Sequence, residues 1–193
     1  MDLTLPIILG SSSKSRQEIL KRMGYTFEVL SPDIDEQAFE NDNPQSLALA
    51  IGLAKADALR KQVYKDSLVI TSDTVVVWNG LIRGKPTSEE EARAFLHSYA
   101  EHPAETVTSV VVTNTKSGKV VSAVDTAKVY FRPLPNSVVD KLIEHGTAMH
   151  CSGGLRAEDP ILQPYILRIE GTMDSVMGLP MAIVKPLLEE AET

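Results

Sequence analysis

The sequence predicts a mixed α/β fold, a twisted sheet flanked by helices, and three observations carry that expectation. Helix-period and strand-period segments alternate along most of the chain. Two hairpin signals, Asn79-Gly80 and Ser117-Gly118, interrupt the alternation and call for antiparallel pairs beside parallel ones. No internal repeat, low-complexity tract or interdomain linker breaks the chain, so its 193 residues fit one domain, or two small lobes.

Each element has a local cause. Leu3 to Leu9 is a short apolar run ending at Gly10, expected as a buried strand. In the following Ser11-Ser12-Ser13-Lys14-Ser15-Arg16-Gln17-Glu18, Ser15 and Glu18 have capping-box spacing, and Ser13 is an equally good N-cap. Gly24 ends that helix, Tyr25 to Leu30 is a second strand, and Ser31 to Asn43 is an acidic loop. Pro44 to Gln62 is a helix with Leu47, Ala48, Ile51, Ala54 and Ala58 on one face. Leu68 to Trp78 is β-rich and turns at Asn79-Gly80. Ser88 caps a helix to Tyr99, with Glu89, Glu90 and Glu91 at its positive end. Thr106 to Thr115 and Lys119 to Phe131 are paired strands, Pro135 to Glu144 is a helix ended by Gly146, and Gly153-Gly154 is a bend. Tyr165 to Ile169 is a strand and Pro180 to Glu192 the last helix.

Composition sets outer limits. Hydrophobic residues at 43% and charged residues at 23% exclude a disordered chain. A net charge of −7 argues against a general nucleic-acid binder, which needs a basic face, but leaves room for a small anion on local cations. The lone Cys151 cannot form an internal disulfide. Met1-Asp2-Leu3-Thr4-Leu5-Pro6 has no basic flank before a long apolar run, so no signal peptide is expected. No stretch nears the roughly 20 apolar residues of a membrane span. A cytoplasmic protein without membrane contact is the expectation.

Several residues stand out chemically. The loop from Ser11 into the helix places free N–H groups, hydroxyls and Arg16 where an anion would bind, although a plain capped helix with a surface arginine has the same sequence. Lys55 falls between Ile51 and Ala48, inside the apolar stripe, so it either snorkels to water or points into a cleft holding an anion. Asp73 lies within Thr71-Ser72-Asp73-Thr74, with apolar residues on both sides. A carboxylate there meets a metal, a cation or a substrate, or else accepts backbone hydrogen bonds at a strand edge. Lys85 projects from the stiff Gly84-Lys85-Pro86 loop, and Asp33, Asp35 and Glu36 either help hold Mg²⁺ or are solvated. His145, His150 and Cys151 do not have the spacing of a zinc set.

Taken in chain order, these segments resemble the Maf family of septum formation inhibitor-like proteins, which are nucleoside triphosphate pyrophosphatases. The resemblance rests on Leu9-Gly10-Ser11-Ser12-Ser13-Lys14-Ser15-Arg16 with Glu18-Ile19-Leu20, on Asp33-Ile34-Asp35-Glu36 and on Ala54-Lys55-Ala56. It continues through Ser72-Asp73-Thr74, Gly84-Lys85-Pro86, Gly153-Gly154 to Glu158, and Asp174-Ser175-Val176-Met177-Gly178-Leu179-Pro180. It implies a mixed α/β fold with a deep central cleft, related to inosine triphosphate pyrophosphatases, and a homodimer. It implies a divalent cation, Mg²⁺ or Mn²⁺, and cleavage of a nucleoside triphosphate between its α- and β-phosphates. The family's proton acceptor falls on Asp73, and its base-selecting positions on Ser15, Thr74 and Glu158.

Two departures bear on the substrate. Bacterial members usually carry Ser-Pro-Arg-Arg, where this chain has Lys14 and Ser15 before Arg16. Thr74 resembles the branch acting on dTTP and UTP, whereas Glu158 resembles the branch acting on 7-methyl-GTP. A carboxylate accepts from guanine N1–H and N2–H₂ and attracts a cationic methylated ring, which favours 7-methyl-GTP, with dTTP and UTP next. The expected mechanism is attack of water on the α-phosphorus, with Asp73 orienting and deprotonating it or holding the metal. Arg16, Lys55 and Lys85 would clamp the phosphates, Ser11 and Ser13 would donate to them, and Asp73 and Glu36 would hold the metal. Rival expectations are a non-catalytic nucleotide-binding regulator of division and a phosphomonoesterase-like hydrolase. Nucleotide house-cleaning fits the enzyme.

Overall fold

The computed structural model describes residues 3–193; Met1 and Asp2, the start of the segment expected to lack a signal peptide, lie outside the described residues. Strand β1 spans Ile7–Gly10, helix α1 Lys14–Arg22, β2 Phe27–Leu30, α2 Pro44–Arg60, β3 Leu68–Trp78 and β4 Leu81–Arg83. Then follow α3 Glu89–Ser98, β5 Ala104–Asn114, β6 Val120–Phe131, α4 Asn136–Glu144 and α5 Thr147–His150. The chain ends with β7 Ile166–Glu170, α6 Met173–Val176 and α7 Met181–Glu192.

A seven-stranded sheet runs in the order β2-β1-β3-β5-β6-β7, with β4 paired to β3. It is mixed, as the hairpin signals required. Strand β1 is parallel to β2 and β3, while β4 on β3 and β7 on β6 are antiparallel. Parallel neighbours need crossovers, and α1 and α2 supply them. Strand β3 is buried over nearly its whole length, which explains its continuous apolar run. Asn79 and Gly80 both have positive φ, at 47° and 78°, the conformation of a tight right-twisting hairpin turn. Among the described residues no helix is long and apolar enough to cross a membrane.

The chain divides into two compact units: Met1–Asp73, Thr108–Asp125 and Gly178–Thr193 form the first, and Thr74–Val107 and Thr126–Met177 the second. In the first, Ile8, Leu59 and Val69 form a small buried cluster beneath α2. In the second, Leu96, Tyr99, Val129, Phe131, Leu142 and Leu162 belong to a larger core around α3 and α4.

Two local expectations need correction, one open choice of cap is settled, and two short helices add to the expected elements. Strand β1 starts at Ile7 rather than Leu3. Ser13, not Ser15, caps α1, accepting from the Arg16 N–H, so the Ser15–Glu18 pair is not used as a cap. The buried face of α2 is Leu47, Ala48, Ile51, Gly52, Lys55, Ala56 and Leu59, while Ala54 and Ala58 are half-exposed. The stripe was centred on alanines, whereas packing selects the ridge whose glycine admits the sheet. Helices α5 and α6, of four residues each, are too short to leave a periodic pattern.

Candidate active site

The first unit gathers Ser11, Ser13, Arg16, Glu36, Lys55 and Asp73. Gly10 ends β1 where a Cβ would stand 2.4 Å from Leu59 Cδ1 and 2.7 Å from Thr71 Cγ2, so a larger residue there would have to displace the buried side chains of α2 and β3. The chain then enters α1 through a serine turn. Ser13 N–H donates to Ser11 Oγ at 3.2 Å, and Arg16 N–H donates to Ser13 Oγ at 3.4 Å. Ser15 sits in the first turn of α1, partly buried.

Arg16 points inward. Its Nε donates to Gly178 O at 2.8 Å, and its Nη1 to Ser72 O at 3.0 Å and Ser11 Oγ at 3.3 Å. Burial pulls the guanidinium below its ordinary pKa, while Asp73 and Glu36 oppose that shift. Part of the arginine's donor set therefore holds the protein's own backbone. Ser72 Oγ reinforces the same point, donating to Gly178 O at 2.8 Å.

Lys55 does not snorkel to water, and the anions it meets are the protein's own carboxylates. It is only 6% exposed, and its Nζ lies 2.7 Å from Asp73 Oδ1 and 2.7 Å from Glu36 Oε1. It also donates to Ser72 O at 3.5 Å, the carbonyl that Arg16 binds. Glu36 reaches this point from a single helical turn, Glu36–Ala38, that Asp35 caps. Asp73 is 8% exposed, so ionised it needs such a partner. Two cations thus share one strand carbonyl, and two carboxylates meet on one of those cations, Lys55. Such a cluster suits an anionic ligand whose reacting atom needs a nearby proton acceptor.

Sequence reasoning passed over several residues here. Thr71 Oγ1 donates to Gly52 O at 2.8 Å, and Ser109 Oγ donates to Ala48 O at 2.7 Å. The Ser72 and Gly178 carbonyls serve as acceptors. A backbone acceptor leaves no mark in sequence, and a serine within a strand resembles any other small residue. Only the alternation of Thr71 and Asp73 on one strand face was available as a signal.

Lys85, Thr74 and Glu158 belong to the second unit. Thr74 is partly buried on β3, and Lys85 is exposed in the loop after β4. That loop is held by Gly153 N–H donating to Gly84 O at 2.8 Å, and Tyr99 Oη donates to Gly153 O at 2.7 Å. Gly153 has φ 64°, and a Cβ there would lie 2.5 Å from Tyr99 Oη. The adjoining Arg83 is caged by aromatic rings, its Cζ 4.1 Å from the Trp78 ring centroid, 4.4 Å from Phe95 and 5.2 Å from Tyr99. Glu158 is half-buried and accepts from Arg156 Nε at 3.1 Å.

Comparison with known proteins places the chain in a family. A 7-methyl-GTP pyrophosphatase of Dictyostelium discoideum is 43% identical over 192 residues, covering 96% of this chain and 96% of its own. Another from Idiomarina loihiensis is 36% identical over 187 residues, covering 96% of this chain and 94% of its own. A dTTP/UTP pyrophosphatase of Thermotoga petrophila is 35% identical over 185 residues, covering 95% of this chain and 88% of its own. The family model described as Maf-like protein matches residues 6–191, and the chain belongs to that family.

Proposed function

We propose that this protein is a nucleoside triphosphate pyrophosphatase, hydrolysing its substrate to the monophosphate and pyrophosphate. The observation that carries the reading is the buried Lys55, with Asp73 and Glu36 each 2.7 Å from its Nζ and Arg16 on the same strand carbonyl. The relatives' activity supports it.

In the mechanism we infer, Asp73 orients a water and takes its proton as the water oxygen bonds to the α-phosphorus. The bond from that phosphorus to the bridging oxygen breaks, and pyrophosphate leaves with the electron pair. Lys55 holds the Asp73 carboxylate and, with Arg16 and Lys85, offsets the negative charge of the phosphates. The N–H groups and hydroxyls of Ser11 and Ser13 at the start of α1 donate to phosphate oxygens.

Among the described residues, no three His, Cys, Asp or Glu side chains form a group that could hold a metal ion. Mg²⁺ commonly takes only one or two carboxylates and completes its shell with phosphate oxygens and waters. Asp73 and Glu36 fit that need, and we assign them to a Mg²⁺ or Mn²⁺ ion. When bound, the ion would supply charge neutralisation and a more acidic water.

We assign base choice to Glu158, with Ser15 and Thr74 contributing. The Glu158 carboxylate favours 7-methylguanine, through its N1–H and N2–H₂ donors and its positive charge, and the relative 43% identical to this chain bears that substrate in its name. A panel of 7-methyl-GTP, GTP, dTTP and UTP, with pyrophosphate and orthophosphate measured separately, tests both assignments. Pyrophosphate release fastest with 7-methyl-GTP is expected, and Glu158→Gln should lower that preference toward the pyrimidine nucleotides. Orthophosphate as the first product would contradict the cleavage site. An unchanged ranking in Glu158→Gln would contradict the base assignment.

A further inference from the structure

Ser109 on β5 takes no part in the chemistry above, yet it joins the two elements that bear the Lys55–Asp73 pair. Its side chain is fully buried. Its hydroxyl donates to Ala48 O on α2 at 2.7 Å and accepts from the Asp73 backbone N–H at 3.3 Å. One helical turn beyond Ala48, Gly52 O accepts from Thr71 Oγ1 at 2.8 Å, and Thr71 lies two residues before Asp73 on the same face of β3. Ala48, Gly52 and Lys55 therefore form one ridge of α2, fastened to the sheet at two carbonyls before Lys55 reaches Asp73. Gly52 sets how closely that ridge approaches: a Cβ there would stand 2.6 Å from Ser109 Oγ and 3.3 Å from Val111 Cγ2.

We propose that Ser109, working against Gly52, is a positioning residue that sets the distance and register of α2 on β3, and so the meeting point of Lys55 and Asp73. The hydroxyl does two things at once. It holds the peptide unit that carries the Asp73 side chain, and it holds the helix that carries the lysine. Losing it frees both ends of the ion pair by fractions of an ångström, a scale to which proton transfer is sensitive. The proposal rests on the assignment of Asp73 and Lys55 to the reaction.

The test uses the full chain with 7-methyl-GTP and Mg²⁺, assayed well below each variant's unfolding midpoint. Ser109→Ala should lower kcat by about 10-fold while KM stays within about twofold, because phosphate and base contacts persist. Gly52→Ala alone should lower kcat at least as much. In the Ser109→Ala background, where the hydroxyl it would strike is gone, the added methyl should cost little more. That non-additivity separates a shared positioning contact from two independent packing defects. Ser109→Cys, of similar size but a weaker donor, should fall between wild type and Ser109→Ala, which keeps the proposal testable should Gly52→Ala fail to fold. Wild-type kcat in Ser109→Ala, or fully multiplicative losses in the double variant, would overturn it. Near-normal turnover in Asp73→Asn would instead bring down the assignment beneath it, so the two failures are distinguishable.

Discussion

Glu158 shares its carboxylate with Arg156, two residues earlier, and that sharing tempers the base selection we propose. The Arg156 Nε donates to Glu158 Oε1 at 3.1 Å, and this hydrogen bond raises the guanidinium above its ordinary pKa. A paired carboxylate attracts a cationic ring less strongly than an isolated one. Arg156→Ala should therefore raise the ratio of kcat/KM for 7-methyl-GTP over GTP by about threefold or more at low salt, shrinking as salt screens the charge. Steady-state kinetics at two ionic strengths checks this, and an unchanged ratio would show that Arg156 leaves the effective charge of Glu158 alone. At this scale the sequence was informative wherever a residue broke its element's pattern. Asp73 stands out in an apolar strand, and Lys55 in an apolar helix face. Glu36 as the second partner of Lys55 was not legible, because it depends on the path of the acidic loop. Ser109 was not legible either, since its importance lies in what it touches.

Elements with strong local causes were the readable ones. Strand β3 was bounded correctly by its apolar run and the Asn79-Gly80 turn, and α3 by Ser88, which accepts from the Glu91 N–H. Strand β2 is a short edge whose burial does not alternate, so its start was misplaced at Tyr25. The pairing of the last helix with the first strand's approach was invisible, because it joins opposite ends of the chain. Glu192, near the end of α7, accepts from the Leu5 N–H and from the N–H and hydroxyl of Thr4. Burial alone would raise its pKa, but those hydrogen bonds together hold it below the ordinary carboxylate value. A folded pKa below the unfolded one gives stability that is full above the unfolded value and lost as pH falls through the folded one. Glu192→Gln should thus unfold more easily than wild type at about pH 7, with the gap closing toward about pH 3. Urea midpoints at both pH values check it, and a constant gap would contradict it.

At the scale of the whole molecule, the division into two units left no trace in composition. Three of its four boundaries fall inside strands β3, β5 and β6, at Asp73/Thr74, Val107/Thr108 and Asp125/Thr126. The fourth, Met177/Gly178, falls in the short connection between α6 and α7, so no long linker announces them. The residues assigned to chemistry are distributed accordingly. Ser11, Ser13, Arg16, Glu36, Lys55 and Asp73 belong to the first unit, and Thr74, Lys85 and Glu158 to the second. Motif order along the chain was nonetheless enough to identify the family, whose model spans residues 6–191. Motifs record which residue types are required, while hydrogen bonds such as those from Arg16 to Gly178 and Ser72 record how they are held. The most direct measurement is the rate of pyrophosphate release from 7-methyl-GTP by wild type and by Asp73→Asn, at saturating substrate and Mg²⁺. The isosteric amide removes the proton acceptor, so turnover should fall at least about 100-fold in a protein that still folds. Turnover within a few-fold of wild type would contradict the assignment of Asp73 to the centre of the reaction.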